Sequence, residues 1–182
     1  MNIKRLGGIF FAATLALVSQ AAMVATAAEL SRDASASLQQ LYASVPAAKA
    51  LGANAQAILV FPKVTKAGLG IGGQFGDGAL LKGGNAVAYY NTAGASIGLQ
   101  AGAQQYGYAL FFMNAKALAQ LDKADGFEVG VGPTVVVVDE GIGKSLTTTT
   151  AKDDVYAFIF GQKGLMAGLG VQGNKITKIN PK

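Results

Sequence analysis

Gly68, Gly70 and Gly73 satisfy G-x-G-x-x-G, the spacing that lets a backbone approach a dinucleotide pyrophosphate. That chemistry also needs a helix after the glycines and an acidic residue about 20 positions on. Here QFGDGALLK follows, a hairpin-like run, and no Asp or Glu occurs between 78 and 121. The pattern is therefore a glycine-rich strand. Gly143-Lys144-Ser145 has the ending of a P-loop, but the motif's first glycine falls on Val138, so the loop cannot turn its amides onto phosphates. Asp139-Glu140 and Asp153-Asp154 are carboxylate pairs on either side of a threonine tract. Neighbours on a strand point to opposite faces, so each pair delivers one carboxylate to a given site, and both are expected as solvated turn residues. The hydroxyls of 145–150 have no histidine to activate them, because the chain contains none. A Ser145–Lys152 dyad is the remaining nucleophilic option, and no nucleophile-elbow pattern surrounds that serine. The chain also has no cysteine, which removes thiol catalysis, thiolate metal sites and disulfides. No catalytic residue, metal site or cofactor is expected.

The elements that carry these residues are mostly short β-rich runs. AILVF, GLGIGGQFG, ALLK, AVAYYN, ASIGLQAGAQ, YALFFM, TVVVVDE, VYAFIFG and LMAGLGVQG follow one another, punctuated by Gly, Asn-Thr, Asp-Gly and Gly-Gly. Gly68, Gly70 and Gly72 share one face of their run. Strand glycine at that density implies close approach of another backbone or a tight bend. Before the strands, residues 28–54 have helical spacing in Leu38, Leu41, Tyr42 and Val45, with Ser31 or Asp33 as the cap and Pro46 opening a second short helix. Asn114 caps a further helix near 115–123, ended by Gly126. The predicted fold is mainly β (α+β): an antiparallel twisted sheet closing into a barrel or a two-layer sandwich, with N-terminal helices. Tyr89-Tyr90 and Phe111-Phe112 are adjacent aromatic pairs, so one member of each faces away from its neighbour. The second apolar face this creates is a packed layer, an acyl-chain pocket or a membrane surface.

The first residues form an export signal. Lys4 and Arg5 precede a run from Leu6 to Ala28 without charge, and Ala25-Thr26-Ala27 is an A-x-A cleavage site. The predicted organisation is a cleavable signal at 1–27, a helical segment at 28–48 and a single domain at 49–182. The predicted location is the periplasm, peripheral on the outer or inner membrane. Removing 1–27 leaves thirteen Lys plus Arg against ten Asp plus Glu, a net charge of +3. Lysine supplies nearly all of it, which suits loose attraction to anionic surfaces rather than forked recognition of one phosphate. No basic run exists, so nucleic acid is not an expected partner.

Three stretches carry a family resemblance: 55–81 (AQAILVFPKVTKAGLGIGGQFGDGALL), 89–113 (YYNTAGASIGLQAGAQQYGYALFFM), and 127–181, which opens with FEVGVGPTVVVVDEGIGKSLTTTT. Together they resemble the SYLF-domain family of lipid-binding proteins, in its bacterial exported form. The resemblance implies binding to anionic phospholipids such as phosphatidic acid. Eukaryotic relatives also engage actin, which an exported protein would not meet. No family catalytic motif maps onto these residues. Lys63 and Lys66 flank the VFPKVTKAG turn, Lys144 and Lys152 bracket the threonine tract, and Lys163 lies in a Gly-Gln-Lys-Gly turn. These five are the headgroup candidates. Tyr89, Tyr90, Phe111 and Phe112 are the acyl-chain or apolar-face candidates. The rival expectations are a structural or stress-related envelope protein working through protein contacts, an outer-membrane barrel, and a Ser-Lys hydrolase.

Overall fold

The computed structural model describes residues 25–147, 151–161, 164–165 and 171–182. Nearly all of the predicted export signal, and Lys163, lie outside them. Two helices open the described chain: α1 (Ala27–Ser44) and α2 (Pro46–Gly52). A long hairpin follows, β1 (Ala57–Lys82) and β2 (Asn85–Phe112). Then come α3 (Ala115–Leu118), a 3-10 turn (Ala119–Asp122), β3 (Phe127–Glu128), β4 (Val135–Val138), α4 (Glu140–Ser145), β5 (Val155–Gly161), β6 (Gly164–Leu165) and β7 (Lys175–Ile179).

The cap of α1 is Thr26, not Ser31 or Asp33. Its hydroxyl accepts from the Glu29 amide while the Glu29 carboxylate takes the Thr26 amide, a reciprocal capping box. That box straddles the predicted cleavage point after Ala27. The Thr26 amide bond is also the main reason the Glu29 carboxyl is held below its ordinary value. Leu30, Ala34, Leu38 and Leu41 are buried at helical spacing.

The runs expected as separate strands are continuous. β1 and β2 pair antiparallel from Ala57↔Phe112 to Lys82↔Asn85, with register shifts at Phe61/Val64, Gly68/Gly70 and Leu80/Leu81. The first shift surrounds Pro62, which cannot donate to a ladder. The turn is Gly83-Gly84, with φ of 58° and 84°, the pair of left-handed residues that a two-residue hairpin requires. Asp77-Gly78 and Asn91-Thr92, expected as punctuation, stand inside the strands, and Asn91, opposite Asp77, donates to its carboxylate at 2.7 Å.

The glycines have the predicted use. β1 folds back on itself near residue 70, and a Cβ on Gly76 would meet the Lys63 carbonyl oxygen at 2.6 Å. One on Gly78 would meet the Val60 carbonyl and the Phe61 ring. One on Gly72 would meet the Ala67 carbonyl. Backbone lies against backbone there, with no room for side chains.

β2 then carries the rest of the sheet. Residues 107–112 pair with β5, and 89–93 pair with β7, which pairs with β3. The result is one curled, half-barrel sheet. One pairing departs from the antiparallel expectation: β4 runs parallel to β5, from Val135↔Val155 to Val138↔Phe158. The crossover between them holds α4, a helix that the local spacing does not announce. Asp139 caps it by accepting from the Ile142 amide at 2.8 Å. Gly141 and Gly143 weaken the helical pattern and hide it.

Around β5 the sheet is buried on both faces, which explains the uninterrupted apolar wording of VYAFIF. Leu59, Phe61, Tyr108, Leu110, Phe112, Val155, Ala157 and Ile159 enter one core. Their neighbours Ile58, Val60, Ala109, Phe111, Tyr156 and Phe158 enter a second, closed by Leu38, Leu41 and Leu51 of the helices.

Candidate functional site

The second apolar face is the packed layer. Phe111 and Phe112 are both fully buried, one in each core, and Tyr90 is buried as well. The Phe111 ring centre lies 4.9 Å from that of Phe158 and 6.4 Å from that of Tyr42, between the sheet and the helices. Tyr89 is half-buried, its hydroxyl 2.8 Å from that of Ser31 in α1. Three of the four apolar-face candidates therefore have no exposed surface to offer a lipid in this conformation.

The lysine candidates lie on two groups of elements. Lys63 is exposed in the β1 bulge, and Lys66 is half-buried opposite Gln104. Lys144 is exposed in the last turn of α4, and Lys152 is exposed ahead of β5. Among the described residues the one ion pair is Arg32–Asp33, between neighbours on α1. Lys63, Lys66 and Lys152 thus have no carboxylate partner there.

Asp139 and Asp154, one carboxylate of each pair, have structural partners. Asp139 caps α4. Asp154 accepts from Asn114 at 2.7 Å and from the Thr134 amide at 3.1 Å, tying the α3 cap to the start of β4. The Asn114 bond leads the causes that hold its carboxyl below the ordinary value, followed by the Thr134 amide. A surface cavity of about 310 Å³ opens beside it, lined by Lys116, Gln120, Gly132, Pro133 and Asp154. Its charged rim and its already bonded carboxylate do not suit an acyl chain.

Two features have no counterpart among the sequence expectations. The first is a buried polar chain. Tyr106 donates to Gln74 at 2.7 Å, the Gln74 amide reaches the Asn174 carbonyl at 2.5 Å, and Tyr108 donates to Thr92 at 2.6 Å. Burial pushes the Tyr106 hydroxyl up to about 12 and raises Tyr108 further. A Cβ on Gly94 would fall on the Asn174 side chain, so that glycine makes room for it. Gln74 stands in a glycine-rich strand and its surroundings in sequence give no signal of this. The second is the exposure of Ile71 and Phe75, at 79% and 58%, on the uncovered part of β1. Both are apolar strand residues of the kind that normally enter a core; the helices that would cover them stop short.

Residues 93–181 match the Ysc84 family model, described as Las17-binding protein actin regulator. Residues 93–181 are a SYLF domain. The match starts within β2, at the row where it pairs with β7, and runs to the residues after β7. The SYLF match therefore includes β5, the β4–β5 crossover and the part of β2 from Ala93 on, while β1 precedes it. No curated protein matches the chain.

Proposed function

We propose that this SYLF protein binds anionic phospholipid surfaces without catalysis, at the cell envelope after export and removal of residues 1–27. The observation that carries the reading is the set of lysines, Lys63, Lys66 and Lys152, left without carboxylate partners among the described residues of a chain with excess positive charge. The filled cores favour binding at a surface over enclosure of a lipid, because the aromatic candidates are spent on packing. Each lysine near an anionic leaflet is worth about 1 kcal/mol, so three acting together give roughly a hundredfold preference for anionic over neutral membranes. Phosphatidic acid is the proposed headgroup class.

Flotation with phosphatidic acid vesicles and with neutral phosphatidylcholine vesicles tests this. Recovery with the anionic vesicles alone, lost as salt is raised, is the expected result. Equal recovery with both, or none with either, refutes it.

A second reading has its own observation. β4 is a run of four valines at the end of the sheet order, three of them half-buried, and among the described residues β5 alone pairs with it, along one edge. Such an edge can add a strand from a partner protein. Crosslinking that survives lipid extraction would favour this envelope-protein reading.

A further inference from the structure

We infer that the bend of the β1–β2 ribbon is the part of the protein that enters the membrane interface, with Ile71 and Phe75 as its apolar anchors and Lys175 as a flanking headgroup contact. The inference rests on the lipid-binding reading above and adds the element that does the docking.

Three observations meet at this bend. No charged residue occurs from Ala67 to Gly76 or from Thr92 to Met113, so both strands of the bend are uncharged. Ile71, Gly73 and Phe75 alternate onto one face of β1 and all three are exposed. Ala95 and Ala93, opposite Gly73 and Phe75, are exposed too. Among the described side chains this face thus presents two bulky apolar groups, about 13 Å apart along the strand, with glycine and alanine between and beside them.

Cations stand at its borders. Lys66 immediately precedes the uncharged stretch of β1. On the other side the register runs Phe75↔Ala93↔Lys175 across β1, β2 and β7, which places exposed Lys175 two strands, about 10 Å, from Phe75 in the same row. Glu128 follows Lys175 in that row, and no ion pair joins them among the described residues. Asp77, the nearest acid along β1, is engaged by Asn91.

This composition selects a bilayer over a protein partner. A stable protein interface needs upward of about 1,000 Å² with fitted anchors. Among the described side chains, two bulky groups separated by glycine and alanine present little such relief. A lipid interface asks only for apolar area rimmed by long cationic side chains that reach the headgroups.

The chain has no tryptophan, so one introduced indole is an unambiguous reporter. Phe75→Trp and Val87→Trp, the latter also an exposed strand position at 56% but near the hairpin turn, are mixed with phosphatidic acid vesicles carrying brominated acyl chains. The expected result is a blue shift and quenching for Phe75→Trp, with Val87→Trp unchanged. The double variant Ile71→Ser/Phe75→Ser should bind these vesicles about tenfold more weakly, from the lost apolar transfer, with unchanged circular dichroism. Should the double variant misfold, the Phe75→Trp readout decides alone. Vesicle binding by the wild type with no spectral response from the Phe75→Trp variant overturns the inference and leaves the lipid reading standing. A blue shift of the Phe75→Trp variant that needs protein concentration and no lipid assigns the face to a second copy and also overturns it. Failure of the wild type to bind any anionic vesicle removes the lipid reading itself, and the inference with it.

Discussion

The fold-back of β1 makes a sharp prediction about two glycines five residues apart. A methyl on Gly78 would strike the Val60 carbonyl and lie 2.6 Å and 3.0 Å from Cδ1 and Cγ of Phe61. Phe61 has no exposed surface and its ring sits 4.7 Å from that of Tyr108, so it cannot swing aside. Overpacking of this kind costs about 1–3 kcal/mol. Gly73 is on the same strand, yet the nearest atom to its added Cβ is the Gly94 carbonyl oxygen at 3.9 Å. Gly73→Ala should therefore gain about 0.4–1 kcal/mol by restricting the unfolded chain. Gly78→Ala should melt roughly 4–8 °C below wild type for a cost near 2 kcal/mol, and Gly73→Ala at or slightly above it. Thermal and urea unfolding followed by far-ultraviolet circular dichroism and tyrosine fluorescence measure both. If Gly78→Ala is as stable as Gly73→Ala, the two halves of β1 do not touch as described and the glycine argument fails.

Phe111→Ala should cost about 3–5 kcal/mol by opening a cavity between sheet and helices, read as a fall in urea midpoint. Tyr108→Phe leaves the buried Thr92 hydroxyl without its donor and should cost about 1–3 kcal/mol. Tyr106 and Tyr108 stay protonated in the fold at pH values where the unfolded chain ionises. Stability should hold below pH 10 and decline as pH rises past it toward the folded value of about 12 for Tyr106, more shallowly in Tyr108→Phe. Asp154 has the opposite sign: its contribution is present above the ordinary value of 3.8 and lost as pH falls through its lowered folded value, so Asp154→Ala should blunt acid unfolding measured by circular dichroism. A chain beginning at Ala28 lacks the Thr26 cap and should be about 1 kcal/mol less stable than the full chain, with Thr26→Ala in the full chain reproducing the loss; paired denaturation curves check this.

The β-rich class, the N-terminal helices and the Asn114 cap are legible in the sequence because each rests on local rules: alternation, apolar spacing and side-chain caps. The Gly83-Gly84 turn is legible for the same reason. What escapes depends on contacts distant in sequence. Asp77-Gly78 has the chemistry of a turn, but Gly78 serves Phe61, seventeen residues earlier, and Asp77 serves Asn91. The two long strands therefore resemble four or more short ones. That Phe111 and Phe112 face opposite ways follows from strand alternation. Only the position of α1 and α2 decides that the second face is packed and that cover runs out before Phe75. Thr26 is hidden as a cap because Ala25-Thr26-Ala27 also has the spacing of a cleavage site. The polar chain through Gln74 joins residues 100 apart and leaves no mark on spacing.

The Ala27 amide donates to the Lys182 carbonyl at 3.2 Å, so the start of α1 and the last residue lie side by side. Residues 27 and 182 are consequently neighbours in space, although 155 positions separate them in the sequence. A short linker could join 182 to 27, and new ends could be opened at Gly83-Gly84, where an added Cβ would meet nothing within 4 Å. Such a circular permutant would begin at β2 and deliver β1 last. Whether it still folds would show if the hairpin must form during synthesis or can close afterwards, once residues 27 and 182, which the fold holds side by side, have been joined.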